Sequence, residues 1–128
     1  MSIPVEEQDI IKTIKEFGSS AYLISTSEDG HPHLANLKFD IYETDLIFTV
    51  GRRGTSNLEK SPLVTMLWPA KEVGGYSLII DGNASKHKNV DLNDSVWKIS
   101  FNTGILHRPA EQESTNSDPS CGSDCQAI

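Results

Sequence analysis

The alternation of apolar and polar residues along the chain predicts a protein made mostly of β-strands. Residues 21–27, 31–39 and 46–50 are rich in apolar side chains, many of them the β-branched and aromatic types that suit a pleated, half-buried surface. Asp29-Gly30, between the first two segments, is typical of a tight hairpin turn, and residues 40–45 are predicted as a second turn. Three short strands in sequence favour a meander, and therefore an antiparallel sheet or barrel.

The second half of the chain continues this pattern. Residues 63–68 are predicted as a buried strand, residues 76–84 as a fifth strand with a bulge or bend at Asp81-Gly82, and residues 96–101 as a last strand. The connections between these segments are too short for the helical crossovers of a parallel sheet. We therefore expect a small antiparallel barrel of five or six strands.

Helical spacing of apolar residues occurs near the N-terminus. In residues 4–17, valine, isoleucine and phenylalanine recur at the spacing of one helix face, and Gly18 follows where a helix would end. We expect an amphipathic helix there that covers one side of the sheet. A much shorter helix is predicted at residues 58–60, between the third and fourth strands.

The composition restricts the classes of partner. The 128 residues suffice for one domain and carry a formal net charge of −7. Nucleic-acid binding and attachment to an anionic membrane both need a basic surface, so neither is expected. No apolar run approaches the roughly 18 residues of a membrane span, and no signal peptide is recognisable, which favours a cytoplasmic protein.

The chain divides into a domain and a polar tail. Residues 1–110 are expected to form the domain, whereas residues 111–128 are dominated by Ser, Asn, Asp, Gly and Gln and are expected to be disordered. Cys121 and Cys125, the only cysteines, lie in this tail, so no disulfide framework holds the fold. They are either a redox-active pair or two exposed thiols without a fixed role.

A pair of arginines in residues 51–57 is the chemistry that stands out in this acidic chain. Arg52 and Arg53 are flanked by glycines and followed by Thr55 and Ser56, either of which can cap the short helix. A guanidinium matches the geometry of phosphate oxygens, glycines let backbone N–H groups approach an anion, and a helix N-terminus is electropositive. The segment therefore has the parts of a phosphate-binding site. The alternative is a solvated turn whose arginines pair with surface carboxylates.

Several motifs occur in an order that resembles a known family. They are Asp-Gly-x-Pro-His at residues 29–33, Asn-Leu-x-x-Ser-Pro-Leu-Val at residues 57–64, and the strand at residues 76–84. Across residues 18–110 this order is similar to that of the pyridoxamine 5′-phosphate oxidase-like superfamily, the FMN-binding split barrels, and in particular to a subgroup of small, uncharacterised members. The resemblance implies a mainly β (α+β) fold: an antiparallel split β-barrel of about six strands with an N-terminal helix and one short inserted helix.

The same resemblance implies a homodimer that binds FMN at the subunit interface, with the phosphate held by the segment after the third strand. Arg53 stands at the position of the family's phosphate-binding arginine. Gly54 stands where a lysine is common, a role that Arg52 could take over. The residues that the resemblance places at the cofactor are Arg52, Arg53, Thr55, Ser56, Asn57, Thr49, Lys38, Asn36 and Leu37.

The implied activity is that of an FMN-dependent oxidoreductase that acts on a small molecule, with no protein residue assigned as a general base. Synthesis of pyridoxal phosphate is not expected, because the substrate-binding residues and the C-terminal extension of those oxidases are not recognisable. Two alternatives stay open. One is an oxidoreductase of the same fold that uses the deazaflavin F420, and the other is a non-catalytic dimeric module that binds flavin or haem.

The remaining chemistry-bearing residues permit structural as well as functional interpretations. His31 and His33 lie two apart on a strand and share a face, but no third ligand is identifiable, so no metal site is predicted. His107 and Arg108 either reach the anionic part of a cofactor or form a satisfied turn. For Trp68, a place in the core or at a dimer interface is favoured over stacking on a cofactor.

Overall fold

The computed structural model describes residues 1–87 and 96–109. Within these residues the chain forms eight strands, two α-helices and one 3-10 turn. The strands are β1 (Ser2–Pro4), β2 (Ser20–Thr26), β3 (Pro32–Lys38), β4 (Asp40–Tyr42), β5 (Asp45–Thr49), β6 (Leu63–Trp68), β7 (Ser77–Lys86) and β8 (Val96–His107). The helices are α1 (Ile10–Phe17) and α2 (Arg52–Lys60), and the 3-10 turn is Glu7–Asp9.

One antiparallel sheet contains all the strands. Their order is β3-β2-β6-β7-β8-β5-β4, and β1 pairs with the far end of β8. The sheet curls into an antiparallel split barrel, so the predicted fold class is confirmed. The Asp-Gly prediction for the β2–β3 turn is also confirmed, because Gly30 has φ +88° there. Pro32 begins an edge strand, where a missing N–H donor is tolerated.

The core lies on the inner face of the curled sheet. Alternate residues of β2, β6 and β7 are buried there. The ring of Phe39 contacts those of Phe48 and Trp68, with centroids 5.3 and 5.8 Å apart. α1 adds Ile10 and Ile14, each 2 % exposed. Complete burial of a large apolar side chain stabilises a fold by about 1.5–3 kcal/mol, so these residues account for much of the stability of the barrel.

The N-terminal helix is shorter than predicted. The prediction over residues 4–17 is wrong at its start, because Ser2–Pro4 form β1 and Pro4 lies opposite Ile105 of β8. The Val5 N–H then donates to the Gly104 carbonyl at 2.8 Å, and α1 begins only at Ile10. Helical periodicity is a local signal, and here pairing with a strand a hundred residues away determines the structure instead.

The prediction of a simple turn at residues 40–45 is also wrong. β4 pairs with β5 in this segment, and only Glu43, at φ +58°, and Thr44 connect the two strands. The meander order fails at the same place, since β5 lies beside β8 rather than beside β3. Phe39, the single residue between β3 and β4, is buried in the core, which anchors the chain where it passes to the other edge of the sheet.

Strand β8 is longer than predicted, and the bulge in β7 is confirmed. The prediction of residues 96–101 covers the first half of a twelve-residue strand. The second half is held by pairing with both β7 and β1, which only the folded chain brings alongside. The register between β7 and β8 shifts between Asp81 and Gly82, as the sequence indicates.

Some predictions fall on residues that the structure does not describe. The predicted tail at residues 111–128, with Cys121 and Cys125, lies outside the described residues. In the described part of the chain, no helix is both long enough and apolar enough to cross a membrane.

Candidate functional site

The two arginines lie on the first turn of a helix rather than in a loop. α2 begins at Arg52 with Gly51 as its N-cap, and the Thr55 N–H already donates to the Gly51 carbonyl at 2.9 Å. The predictions of a helix limited to residues 58–60, and of Thr55 or Ser56 as its cap, are therefore wrong. Packing of α2 on the barrel outweighs the low helix propensity of this segment. Because the cap is a glycine, no side-chain oxygen satisfies the helix N-terminus.

This helix N-terminus is suited to an anion. The N–H groups of Arg52, Arg53 and Gly54 belong to the first turn, where an α-helix has no acceptor of its own to offer. The aligned peptide dipoles add partial positive charge at the same place. Both guanidinium groups are exposed. Two full charges and three backbone donors therefore converge on one turn of helix.

Within the described residues, no carboxylate pairs with either of the two arginines. Among residues 1–87 and 96–109, the ion pairs join Lys60 to Glu28 at 3.2 Å and Lys86 to Glu59 at 3.4 Å. Both pairs use lysines, and neither Arg52 nor Arg53 forms an ion pair within these residues. The alternative interpretation, in which surface carboxylates hold these arginines, does not describe this structure.

Close packing against Val50 requires a glycine at position 54. This glycine is buried, and a Cβ at this position would lie 2.8 Å from the Cβ of Val50. Position 54 therefore faces the end of β5 rather than solvent, and a lysine there would not point toward a ligand at the helix N-terminus. Because glycine replaces the lysine that is common at this position, Arg52 and Arg53 supply the positive charge of the helix N-terminus.

Two of the residues predicted on strands lie exposed at strand ends. Thr49 is exposed at the last position of β5, two residues before the N-cap of α2. Lys38 is exposed at the last position of β3, where it pairs with Ser20 of β2. β3 and β5 come within contact distance of each other. Because both are exposed, Lys38 and Thr49 lie on the outer face, meaning the face of the sheet turned away from the core.

The neighbours of Lys38 differ in the direction of their side chains. Asn36 is exposed on the same face as Lys38, and its Oδ1 accepts a hydrogen bond from the Ser20 hydroxyl at 3.2 Å. Leu37 is half-buried and packs against the core. Leu37 can therefore offer a ligand on the outer face only its backbone groups.

Asn57 holds α2 against the barrel. Its side chain is 5 % exposed, and Nδ2 donates to the hydroxyl of Ser25 on β2 at 3.3 Å. A buried amide needs such a partner, since an unsatisfied one costs about 1–3 kcal/mol. The contact fixes the position of the helix whose N-terminus carries the arginines, so Asn57 acts on the site through the placement of α2.

Ser56 opens onto a cavity of about 530 Å³ between α2 and the β2–β3 turn. Glu28, Asp29 and Lys60 also line this cavity. The Ser27 hydroxyl donates to Asp29, and this bond, together with the His31 backbone N–H, lowers the pKa of the Asp29 carboxyl below its usual value. The cavity is therefore polar and carries two carboxylates against one lysine.

The remaining sequence candidates have structural roles or no assembled site. No group of three His, Cys, Asp or Glu side chains in the described chain is placed to hold a metal ion. His107 Nδ1 shares a hydrogen bond with the Ser2 hydroxyl at 3.1 Å, and the Arg108 guanidinium lies 4.9 Å from the ring centre of Tyr76. Trp68 is buried and donates its indole N–H to the carbonyl that ends α1.

Sequence reasoning missed a second polar pocket on the outer face. It has a volume of about 520 Å³ and lies between the β4–β5 turn and the ends of β7 and β8. Tyr42, Asp45, His87 and Lys98 are among its lining residues. The sequence carries no signal for it, because these residues come from four separate segments that only the strand order brings together.

Comparison with known sequences gives partial relatives. No model of a known protein family matches the chain. Uncharacterised proteins of Mycobacterium bovis and Mycobacterium tuberculosis are each 34 % identical to it over 77 residues, which are 59 % of this chain and 54 % of theirs. The chain thus spans about half the length of the curated relatives that it matches.

Comparison with solved structures gives likenesses over most of the chain. A candidate pyridoxamine 5′-phosphate oxidase of Listeria innocua superposes with a TM-score of 0.66 at 22 % identity, over 79 % of this chain and 98 % of its own. A FAD-binding protein of Mycobacterium smegmatis gives 0.60 at 13 %, over 84 % and 100 %. A haem storage protein of Vibrio cholerae gives 0.60 at 16 %, over 79 % and 94 %. These likenesses establish a shared fold.

Proposed function

Because the chain has the split-barrel fold of the pyridoxamine 5′-phosphate oxidase-like superfamily, we propose that it binds FMN and acts as a flavin-dependent oxidoreductase on a small molecule. The observation that carries this proposal is the pair of exposed, unpaired arginines on the uncapped first turn of α2. Structural neighbours described as flavin-binding proteins support the choice of cofactor.

The FMN phosphate fits the chemistry of this helix N-terminus. Arg52 and Arg53 would each offer a planar fork of donors to phosphate oxygens. The free N–H groups of the first turn would complete the cradle, with Thr55 or Ser56 as hydroxyl donors one turn into the helix. The buried contact of Asn57 would keep these groups at a fixed position relative to the sheet.

The flavin ring would supply the redox chemistry, since it accepts a hydride and passes electrons to a second substrate. The protein would supply binding, orientation and charge. Lys38 and Thr49 are exposed polar residues at the ends of β3 and β5, two strands that come within contact distance of each other. We assign them, with Asn36, to orientation of the ring and its ribityl chain.

A homodimer is part of the proposal. The outer face of β2, β3 and β6 carries several apolar residues: Leu34 is 60 % exposed and pairs with half-buried Ile24, and Leu63, on β6, is 63 % exposed. Exposed apolar patches of this kind typically mark an interaction surface. A second copy of the chain would cover this face, and the cofactor would lie at the edge of the interface.

F420 ranks below FMN. It also carries a phosphate, but an acidic oligoglutamate tail extends from that phosphate. The cavity that continues from Ser56 is lined by Glu28 and Asp29, and its one lysine is already paired with Glu28. Repulsion between like charges would therefore oppose the tail. Haem, bound by some structural neighbours, is the basis of the non-catalytic alternative.

An absorption spectrum of the full-length protein, taken before and after incubation with FMN and desalting, tests the proposal. Retention of about one flavin per chain supports it. A Soret band would move the assignment to haem, and a protein that retains F420 in competition with FMN would move it to the deazaflavin.

The role of the arginines is tested by titrating FMN into two variants. Arg53→Ala should weaken FMN binding by about 1–3 kcal/mol, the range for loss of a charge-assisted hydrogen bond, which is roughly 5- to 150-fold in Kd. Arg108→Ala is the matched control, because this arginine stacks on Tyr76 near the other end of β8. Equal affinity in both variants and the native protein would contradict the assignment of the phosphate site.

A further inference from the structure

The second polar pocket lies in the same part of the sheet as the proposed flavin site. The His87 N–H donates to the Val96 carbonyl at 2.9 Å, and Val96 pairs with Thr49. Residues paired in this way share one face of a sheet, so His87, Val96 and Thr49 form a single row across the outer face. With about 4.8 Å between neighbouring strands, His87 lies about 10 Å from Thr49.

His87 lacks the partners that a buried imidazole needs. Both ring nitrogens are shielded from solvent, and neither has a hydrogen-bond partner among residues 1–87 and 96–109. A neutral imidazole always carries one N–H donor and one acceptor, and such unsatisfied buried groups are rare in folded proteins. The ring contacts Tyr42 edge-on at 5.2 Å. Because no hydrogen bond fixes it, the ring can turn about its Cβ–Cγ bond and present a nitrogen to the pocket.

Charge is divided between the two sides of the pocket. Glu43 lies in the β4–β5 turn and Asp45 is the first residue of β5, and neither carboxylate forms an ion pair within the described residues. Lys98 lies on β8, beside Ser85 of β7, and is likewise unpaired in the part of the chain that the structure describes. The strands β5 and β7 are two strand spacings, or about 10 Å, apart, so Asp45 and His87 lie on opposite sides of the pocket and Lys98 lies on the strand between them.

From this arrangement we propose that the pocket is the substrate site of the proposed flavin centre, and that it takes a small zwitterion. The ammonium group of the ligand meets Glu43 and Asp45, and its carboxylate meets Lys98 and His87. A volume of about 520 Å³ is in the range of small-molecule sites. The assignment to substrate rests on the proposed function, because it depends on a flavin ring close to Thr49.

Three probes of equal chain length test the charge pattern: 6-aminohexanoate, hexanoate and hexylamine. Each is titrated into 15N-labelled, FMN-loaded protein. The ring signals of His87 are followed by NMR and are assigned by their absence in His87→Gln, while the flavin absorption is recorded in parallel. We expect 6-aminohexanoate to shift the His87 signals saturably, to bind at least about tenfold more tightly than the other two probes, and to perturb the flavin spectrum.

Variants locate the two ends of the ligand. Lys98→Met and Asp45→Asn should each weaken 6-aminohexanoate binding by about ten- to a hundredfold, the effect of removing one partner of a charged hydrogen bond. Lys12→Met is the matched control, since this lysine is exposed on α1. Unchanged affinity in Lys98→Met, or equal binding of the three probes, would overturn the proposal.

The outcomes separate this inference from the flavin proposal. If the protein retains no FMN but the zwitterion still shifts His87, the flavin assignment fails while the ligand site is supported. If FMN is retained and His87 does not respond, the pocket is refuted and the flavin proposal stands. If the probe binds without any change in the flavin spectrum, the assignment of the pocket as the substrate site is overturned.

Discussion

The substitution Gly54→Ala tests how closely α2 is packed against the barrel. The added Cβ would lie 2.8 Å from the Cβ of Val50 and 3.3 Å from both of its γ-carbons. Valine is stiff about χ1 and cannot rotate away, so α2 would have to move off the end of β5. Overpacking of this kind costs about 1–3 kcal/mol, whereas replacing a helical glycine by alanine returns about 1 kcal/mol. We expect a net loss of up to about 2 kcal/mol in the free energy of unfolding.

Urea unfolding followed by tryptophan fluorescence measures this loss, with Gly51→Ala as the matched control. A Cβ at Gly51 meets no atom within 4 Å, so that variant should unfold close to the native midpoint. Adding Val50→Ala to Gly54→Ala removes both γ-carbon contacts and should recover part of the loss beyond additivity. If Gly54→Ala proves more stable than the native protein, the gain in helix propensity exceeds the cost of overpacking. The packing described for this position is then incorrect.

Three further predictions address the sheet, the hairpin and the interface. Gly82→Ala should lower the free energy of unfolding by about 3 kcal/mol, because its Cβ would lie 2.6 Å from the Ser100 carbonyl oxygen and backbone moves less readily than a side chain. A loss under about 1 kcal/mol would argue against this steric clash. Ser27→Ala should raise the pKa of Asp29 toward its usual 3.8 in an NMR titration, and an unchanged pKa would refute the role of that hydroxyl. In the native hairpin, the stabilisation by ionised Asp29 is complete above the usual pKa and disappears as the pH falls through the lowered one. Leu63→Lys should convert a dimer into a monomer in sedimentation experiments, and a persistent dimer would exclude this face as the interface.

Local sequence signals were sufficient where neighbours along the chain are also neighbours in the fold. The prediction of residues 63–68 as a strand coincides with β6, and the hairpin at Asp29-Gly30 joins β2 and β3 as expected. The bulge at Asp81-Gly82 is likewise in place. Each of these features depends on alternation within a few residues or on the chemistry of one turn.

Elements defined by distant partners were predicted less well. β1 exists because β8 offers it an edge, whereas β4 is a three-residue strand that pairs with its chain neighbour β5 across a two-residue turn. Neither segment is long enough or regular enough to be recognised by itself. The early start of α2 at Arg52 has the same origin, since burial of Leu58 and the contact of Asn57 with Ser25 stabilise a helix that local propensity does not favour.

The sequence by itself determined that two arginines and two hydroxyls stand next to a helix start in an otherwise acidic chain. Only the tertiary structure decided what each neighbouring residue does. It turned Leu37 toward the core, buried Asn57 as an anchor, and left Lys38 and Thr49 exposed at the ends of their strands. It also brought His87 into the row of Thr49. The physical reason is that residue type fixes the available charge and hydrogen-bonding groups, whereas strand order and register fix which of those groups face the same side of a sheet.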